Sequence, residues 1–284
     1  MSKDAAPPAA ARNDHYSYAA YADPRMAETF DNARFSGPIG RLIAATQEQV
    51  IADFLAPVEG TTILDVGTGT GRGAIALARR GAIATGIDAS AEMLAVARRR
   101  AAESGARVTF VQGDAHGLHV ADQSFDAVVC LRVLMHTPDW RQSLAELCRA
   151  AKSRVVIDYP ALSSAAAVQA VTRRIAHSLG RRVEAYRVFS HRAVRAAFEA
   201  NGFRLVATHK QFVLPIALHK ALASAAATER IEGALASIGL RRAFGSPVTL
   251  VAHRISAPQR QASTSSFPGR DNPPQPAAPL ACAY

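Results

Sequence analysis

Thr62 to Ala78 reads T-I-L-D-V-G-T-G-T-G-R-G-A-I-A-L-A, and the remainder of the chain is best understood from this stretch. Thr61, Thr62, Ile63, Leu64 and Val66 are β-branched or apolar and lie between Gly60 and Gly67, the pattern of a short strand buried on both faces. A glycine loop follows. Beyond it Ala74, Ile75, Leu77 and Ala78 recur at helical spacing, with Arg79 and Arg80 in the last turn and Gly81 just past it. A helix C-terminus favours cations and then a left-handed residue, so the unit is strand, tight loop, helix.

Gly67, Gly69 and Gly71 have no Cβ, so a ligand can lie directly on the loop with the amides of the following helix pointing at it. That suits a nucleotide-like cofactor. On spacing alone G-x-G-x-x-A from Gly69 to Ala74 fits a dinucleotide fold equally well. Asp65 narrows the choice: a carboxylate inside an apolar strand needs partners, and it either braces the loop amides or meets a cationic ligand.

Further along, I-A-T-G-I-D forms a second strand ending at Asp88, 17 residues after Gly71 and near the roughly 20 expected of a ribose-binding carboxylate. Ser90 is placed to cap a helix from Ala91 to Glu103 that Gly105 closes, with Met93 facing back toward the loop. A third strand, Val108 to Gln112, delivers Asp114-Ala115-His116. Asp126 enters a fourth strand, Ala127 to Leu131, as a structural carboxylate, and the loop after it holds L-M-H-T-P-D from Leu134 to Asp139. In doubly wound sheets ligands sit at the carboxyl ends of the strands, so this loop should border the reacting centre.

L-D-V-G-T-G-T-G, followed in order by G-I-D-A-S, Q-G-D-A-H and F-D-A-V-V, resembles the motif series of class I S-adenosylmethionine-dependent methyltransferases, most closely the small-molecule group that includes the ubiquinone and menaquinone C-methyltransferases. The likeness is strong over Gln49 to Tyr159 and looser over Ser190 to Arg254. It implies an α/β fold: a doubly wound, Rossmann-like sheet of seven mostly parallel strands, the last antiparallel, with helices on both faces. It also implies a cofactor, S-adenosyl-L-methionine, with its amino-acid end on Asp65, Gly67, Thr68, Gly69 and Gly71, its ribose at Asp88, and its adenine at Asp114, Ala115 and His116 with Met93. Ala89 and Leu131 complete that set. Tyr21 belongs to an N-terminal aromatic segment, with Tyr16, Tyr18, Phe30 and Phe35, that in the family folds over the cofactor. Here the rings either form such a lid or simply pack the segment onto the sheet.

L-M-H-T-P-D is similar to the L-H-H-x-x-D segment of the quinone-type enzymes. His136 is the residue there whose pKa suits proton removal near neutrality, which makes it the candidate base and a substrate contact; the alternative is a loop histidine that fixes the helix start at Thr137. A fifth strand, Arg154 to Asp158, is followed by D-Y-P, which compares with the D-P-P-Y motif of base-modifying amino methyltransferases but follows the wrong strand and lacks a proline. Tyr159 is retained as a substrate-pocket candidate. Residues 161–189 form an insertion after the fifth strand, where the resembling family places substrate-binding elements, with a basic helix from Ala161 to Arg182 that could meet anionic lipid. Ser190 caps a helix to Ala200, Phe203 to Thr208 is a sixth strand, an alanine-rich helix follows the break at Pro215, and Pro247 to His253 is the last strand.

The 284 residues, 49% of them apolar, suffice for one core spanning 14–255, with an N-terminal cap over 14–56 and disordered Ala/Pro-rich tails at 1–13 and 256–284. A net charge of +10 invites polyanions, yet the arginines fall in scattered doublets suited to helix ends and solvated faces. Cys130, Cys148 and Cys282 have neither C-x-x-C nor zinc spacing, so no metal is expected. No apolar run reaches the length of a signal peptide or membrane span, which gives a cytoplasmic expectation. The acceptor that fits is a small aromatic, quinone-like, lipid or natural-product molecule. An RNA or protein acceptor is the alternative, although no nucleic-acid module is present, and a nicotinamide oxidoreductase is the remote one, lacking any Tyr-x-x-x-Lys pair.

Overall fold

The computed structural model describes residues 18, 21–164, 167 and 186–255. Both expected tails and most of the expected insertion lie outside these residues; the expected helix start at Ala161 is instead a bridge to Phe189 followed by a turn to Ser164, and the rest of that basic helix falls almost entirely outside the described residues.

Two N-terminal helices, α1 (Pro24–Phe35) and α2 (Gly37–Leu55), precede the sheet. The glycine unit follows as β1 (Thr62–Val66) and α3 (Arg72–Ala78), then β2 (Ile83–Asp88), α4 (Ala91–Ser104), β3 (Val108–Gln112) and β4 (Phe125–Cys130). Next come α5 (Trp140–Ala150), β5 (Ala151–Tyr159), α6 (His191–Ala200) and β6 (Phe203–Phe212). Helices α7 (Ile216–Leu222), α8 (Ala225–Ser237) and α9 (Leu240–Phe244) lead to β7 (Ser246–Arg254).

The seven strands form one sheet in the order β3-β2-β1-β4-β5-β7-β6. Pairing is parallel from β3 through β5, and β7 runs antiparallel to both β5 and β6. Strand β1 is buried on both sides, so its alternation feeds two cores. Ile63 packs with Ile51, Leu55 and Leu77 of α2 and α3, whereas Leu64 and Val66 pack with Leu144, Leu147 and Phe198 of α5 and α6. Ile63, Leu64 and Val66 are fully buried, each worth roughly 1.5–3 kcal/mol of transfer free energy as an upper bound. This is why the run reads as uniformly apolar rather than alternating.

Asp126 clamps the middle of the sheet. Its Oδ2 accepts from the Thr62 amide at 2.9 Å and the Thr62 hydroxyl at 2.6 Å, and its Oδ1 accepts from Lys152 Nζ at 3.0 Å, so β1, β4 and β5 are tied through one carboxylate. Several element ends differ from the sequence reading. Helix α5 begins at Trp140 because Asp139 caps it, accepting from the Arg141 and Gln142 amides, so neither Thr137 nor His136 sets its start. Strand β5 begins at Ala151, and β6 extends to Phe212 because β7 offers a partner along its whole length. The segment after Pro215 is split at Ala223, in the left-handed region at φ 50.

Candidate functional site

A cavity of about 440 Å³ opens at the carboxyl ends of β1, β2, β3 and β4, beside the β1/β4 boundary where the strand order reverses. Its volume suits a nucleoside-sized ligand.

The glycine loop forms the floor. Gly67 takes φ +70, and a Cβ there would stand 2.1 Å from Val133 Cγ2, so the loop and the segment after β4 touch only because no side chain intervenes. A Cβ on Gly69 would meet nothing within 4 Å. Asp65 is 4% exposed, and its Oδ2 accepts from the Thr68 hydroxyl at 2.8 Å and the Ala74 amide at 3.1 Å. It therefore braces the loop onto α3 while remaining at the cavity. Burial, opposed by these hydrogen bonds and by Arg72, pushes its carboxyl up to about 6.

Asp88 stands across the loop from Asp65. Its Oδ2 accepts from the Gly69 amide at 2.7 Å and its Oδ1 from the Ser90 amide at 2.9 Å, so the expected ribose carboxylate also holds the loop to the start of α4. Burial raises this carboxyl above its usual range against the pull of the Ser90, Gly69 and Ala89 amides. Ser90 caps α4 by accepting from the Met93 amide, which sets Ala89 and Met93 on the same wall.

Asp114, Ala115 and His116 line the far end. His116 is buried, and its Nε2 lies 3.3 Å from the Asp139 amide while Nδ1 lies 2.7 Å from Asp114 Oδ1. The hydrogen-bond pattern assigns the Nδ1–H tautomer, with Nδ1 donating to Asp114. Tyr18 donates to Asp114 Oδ2 at 2.7 Å. Burial disfavours charge on Asp114, but the His116 side chain and amide, with Tyr18, hold its carboxyl down at about 2.

The opposite wall is aromatic and cationic. Tyr21 makes edge contacts with Phe30 at 6.0 Å and with His136 at 6.1 Å, and all three line the cavity with Phe35 and Leu131. The His136 amide donates to the Val133 carbonyl at 2.8 Å, turning this loop back toward the cavity.

The structure thus brings together Asp65, Gly67, Thr68, Gly69, Asp88, Ala89, Met93, Asp114, Ala115, His116, Leu131, Tyr21 and His136. Two candidates fall elsewhere. Gly71 is absent from the lining: it is the N-cap of α3 at φ 80, where a Cβ would come within 2.9 Å of Ala97 Cβ, so its role is packing. Tyr159 is corrected as well. It is 1% exposed in the core, 5.8 Å from the Phe189 ring, with its hydroxyl 2.8 Å from His191 Nδ1. Strand alternation explains this, since Asp158 points to the α2 side of the sheet and Tyr159 to the α5/α6 side.

Sequence reading missed Asp31, Arg72 and Arg132, which also line the cavity. Arg72 donates to Glu48 Oε1 at 3.0 Å and to Gln47, and stacks 4.3 Å over the Phe35 ring. Arg132 takes φ 59, a left-handed conformation costing about 1–3 kcal/mol for a non-glycine residue, and its amide is held by Asp158. Asp158, 3% exposed, also accepts from Gln47 Nε2 at 3.2 Å. The available signal was Asp158 itself, a second carboxylate in an apolar strand. The basic run Arg98 to Arg100 is not an open strip: it bonds to the Phe110 carbonyl, Glu28 and Asp31. Among the described residues there is no group of three His, Cys, Asp or Glu placed to hold a metal ion, and no helix long and apolar enough to cross a membrane.

Residues 63–154 match the family model described as a methyltransferase domain. The chain is 43% identical over 100 residues to the ubiquinone biosynthesis O-methyltransferase of Klebsiella pneumoniae, covering 34% of this chain and 40% of that protein. It is 45% identical over 105 residues to the demethylmenaquinone methyltransferase of Clavibacter sepedonicus, covering 36% and 42%. The match therefore spans about two fifths of the length of these curated relatives. Among solved structures, magnesium protoporphyrin IX methyltransferase from Synechocystis with bound S-adenosylhomocysteine superposes with a TM-score of 0.54 at 21% identity, covering 76% of this chain and 85% of that one. The [4+2]-cyclase SpnF superposes equally, at 0.54 and 22% identity over 75% and 81%, so this fold also carries other chemistry. Residues 63–154 thus carry a methyltransferase domain, and the seven-stranded sheet around them has the fold of solved methyltransferases.

Proposed function

We propose that this chain transfers the methyl group of S-adenosylmethionine to a small aromatic or quinone-like acceptor. The observation that carries the reading is the two-sided cavity: a wall of carboxylates and loop amides faces a wall of aromatic rings that includes His136. The first wall fits the cofactor. Asp65 is a buried carboxylate at the cavity, suited to an ammonium, and Gly69 leaves open space where a Cβ would intrude. Asp88 and the Asp114–His116 pair supply acceptors for hydroxyl and amino groups.

When bound, S-adenosylmethionine supplies an already activated methyl on a sulfonium, so the protein has mainly to position the acceptor and exclude water. Tyr21 and Phe30 cover the cavity from the α1 side. His136 is the base we assign for an acceptor hydroxyl, taking its proton as the oxygen attacks. The relatives' printed names support a quinone-precursor acceptor, although they match over only part of their length.

Calorimetric titration with S-adenosylmethionine, S-adenosylhomocysteine and NADH tests this reading, with Asp88→Ala beside the wild type. Micromolar binding of both adenosyl ligands, lost in the variant as the Gly69 amide loses its anchor, is the expected result. NADH binding with no adenosyl binding would overturn it.

A further inference from the structure

Arg132 is a cation that the proposed chemistry leaves unused. It follows β4, lines the cavity and is locked at φ 59 by the hydrogen bond from its amide to Asp158. Asp158 also takes the Gln47 amide. Among the described residues no hydrogen bond and no ion pair within 4.0 Å involves the Arg132 guanidinium, whereas neighbouring Arg72 is tied to Glu48 and Gln47 and stacked on Phe35. Burial lowers the pKa of this guanidinium; Asp158 opposes that, and the fields of Arg34 and Arg72 reinforce it.

Arg132 is half-buried at the cavity, where a guanidinium partly withdrawn from bulk water is stabilised by pairing, and its rigid fork matches a carboxylate with two parallel hydrogen bonds. The position of Arg132 separates two possible carboxylates. Asp65, Gly69, Asp88 and Asp114 all belong to the ends of β1, β2 and β3. Arg132 leaves β4 and is anchored to β5, on the other side of the boundary where strand order reverses. A sulfonium is itself cationic, so a second cation in the same cavity calls for an anion between the two. The rings of Tyr21, Phe30 and Phe35 supply an apolar, π-rich surround on that side.

We propose that Arg132 is the anion receptor of the acceptor subsite and that the acceptor is an aromatic ring bearing a carboxylate. The inference rests on the methyltransferase reading and narrows its substrate class. It makes Arg132 a specificity residue, acting through binding of the acceptor and separate from proton removal at His136.

The test uses the full chain saturated with S-adenosylhomocysteine and titrated calorimetrically with 3,4-dihydroxybenzoate and with catechol, the same ring without the carboxylate. The expected result is at least tenfold tighter binding of the carboxylate probe by the wild type. That preference should disappear in Arg132→Gln and in Arg132→Gly, while affinity for S-adenosylhomocysteine stays within about twofold. Arg132→Gly suits the left-handed backbone and so keeps the test available should the glutamine variant fold poorly. Absence of a carboxylate preference in the wild type overturns the proposal, whatever the variants do. So does an unchanged preference in the variants. Loss of S-adenosylhomocysteine binding in the variants, with binding of 5′-methylthioadenosine retained, would overturn it by assigning Arg132 to the amino-acid end of the cofactor. Failure of the wild type to bind S-adenosylhomocysteine at all would instead remove the methyltransferase reading itself.

Discussion

Replacing Asp65 by Asn should stabilise the free protein at neutral pH while weakening its hold on the cofactor. Oδ2 of Asp65 already accepts from Thr68 and Ala74, and the amide oxygen of Asn can keep both bonds with little change of volume. What changes is the charge. Burial moves this carboxyl from its ordinary 3.8 to about 6, so its folded form binds a proton more tightly than its unfolded form. Between those values the native state holds more protons, and stability falls as pH rises; above about 6 the whole cost of burying the anion is present. The displacement corresponds to roughly 3 kcal/mol at pH 7, an order-of-magnitude figure for a buried group. Urea denaturation of wild type and Asp65→Asn at pH 4 and pH 7.5 measures it. The two proteins should be nearly equal at pH 4, and the variant should be more stable by about 1–3 kcal/mol at pH 7.5. At the same time affinity for S-adenosylhomocysteine should drop by about tenfold or more, since a neutral amide replaces a carboxylate opposite an ammonium. A variant that is less stable at pH 7.5, or a stability difference that does not change between the two pH values, would refute the view that this carboxylate is held ionised at a cost for binding.

His136→Ala should lower kcat for a hydroxyl acceptor by roughly 10²–10⁴-fold and leave S-adenosylhomocysteine affinity nearly unchanged; steady-state rates retained within about threefold would leave His136 as a loop-positioning residue. Asp126→Ala should destabilise the protein by about 1 kcal/mol, because the clamp on Thr62 and Lys152 holds its carboxyl down at about 2, but the side chain is 37% exposed and solvent screens it. Its contribution is present above the ordinary 3.8 and is lost as pH falls toward about 2, so wild type and variant should converge in urea melts near pH 2 and diverge above pH 4.

Much of the carboxylate and glycine wall of the cavity was legible in the chain because its signals are local. The glycines, the carboxylate before them, and the capping Ser90 each act within a few residues of themselves, and strand ends follow from apolar runs bounded by glycine or polar residues. The aromatic wall was only half legible: Tyr21 and Phe30 were visible as an aromatic cluster, but nothing local distinguished packing from covering a cavity. Tyr159 was misplaced for a reason that a strand makes simple, since adjacent residues face opposite layers and the sequence does not say which layer holds the ligand.

Linear order alone determined that the chain builds a strand, a glycine loop and a helix around Asp65, and that a carboxylate closes the second strand. Those features depend on backbone freedom at glycine, side-chain period and capping, all read within a turn or a strand. Tertiary structure determined the rest. Asp158 reaches the Arg132 amide 26 residues away, Gln47 reaches Asp158 from a helix 111 residues earlier, and Asp31 meets Thr70 across 39 residues. These contacts exist because β1, β4 and β5 lie side by side beneath α1 and α2, and a sequence pattern carries no record of which distant side chains that stacking brings together.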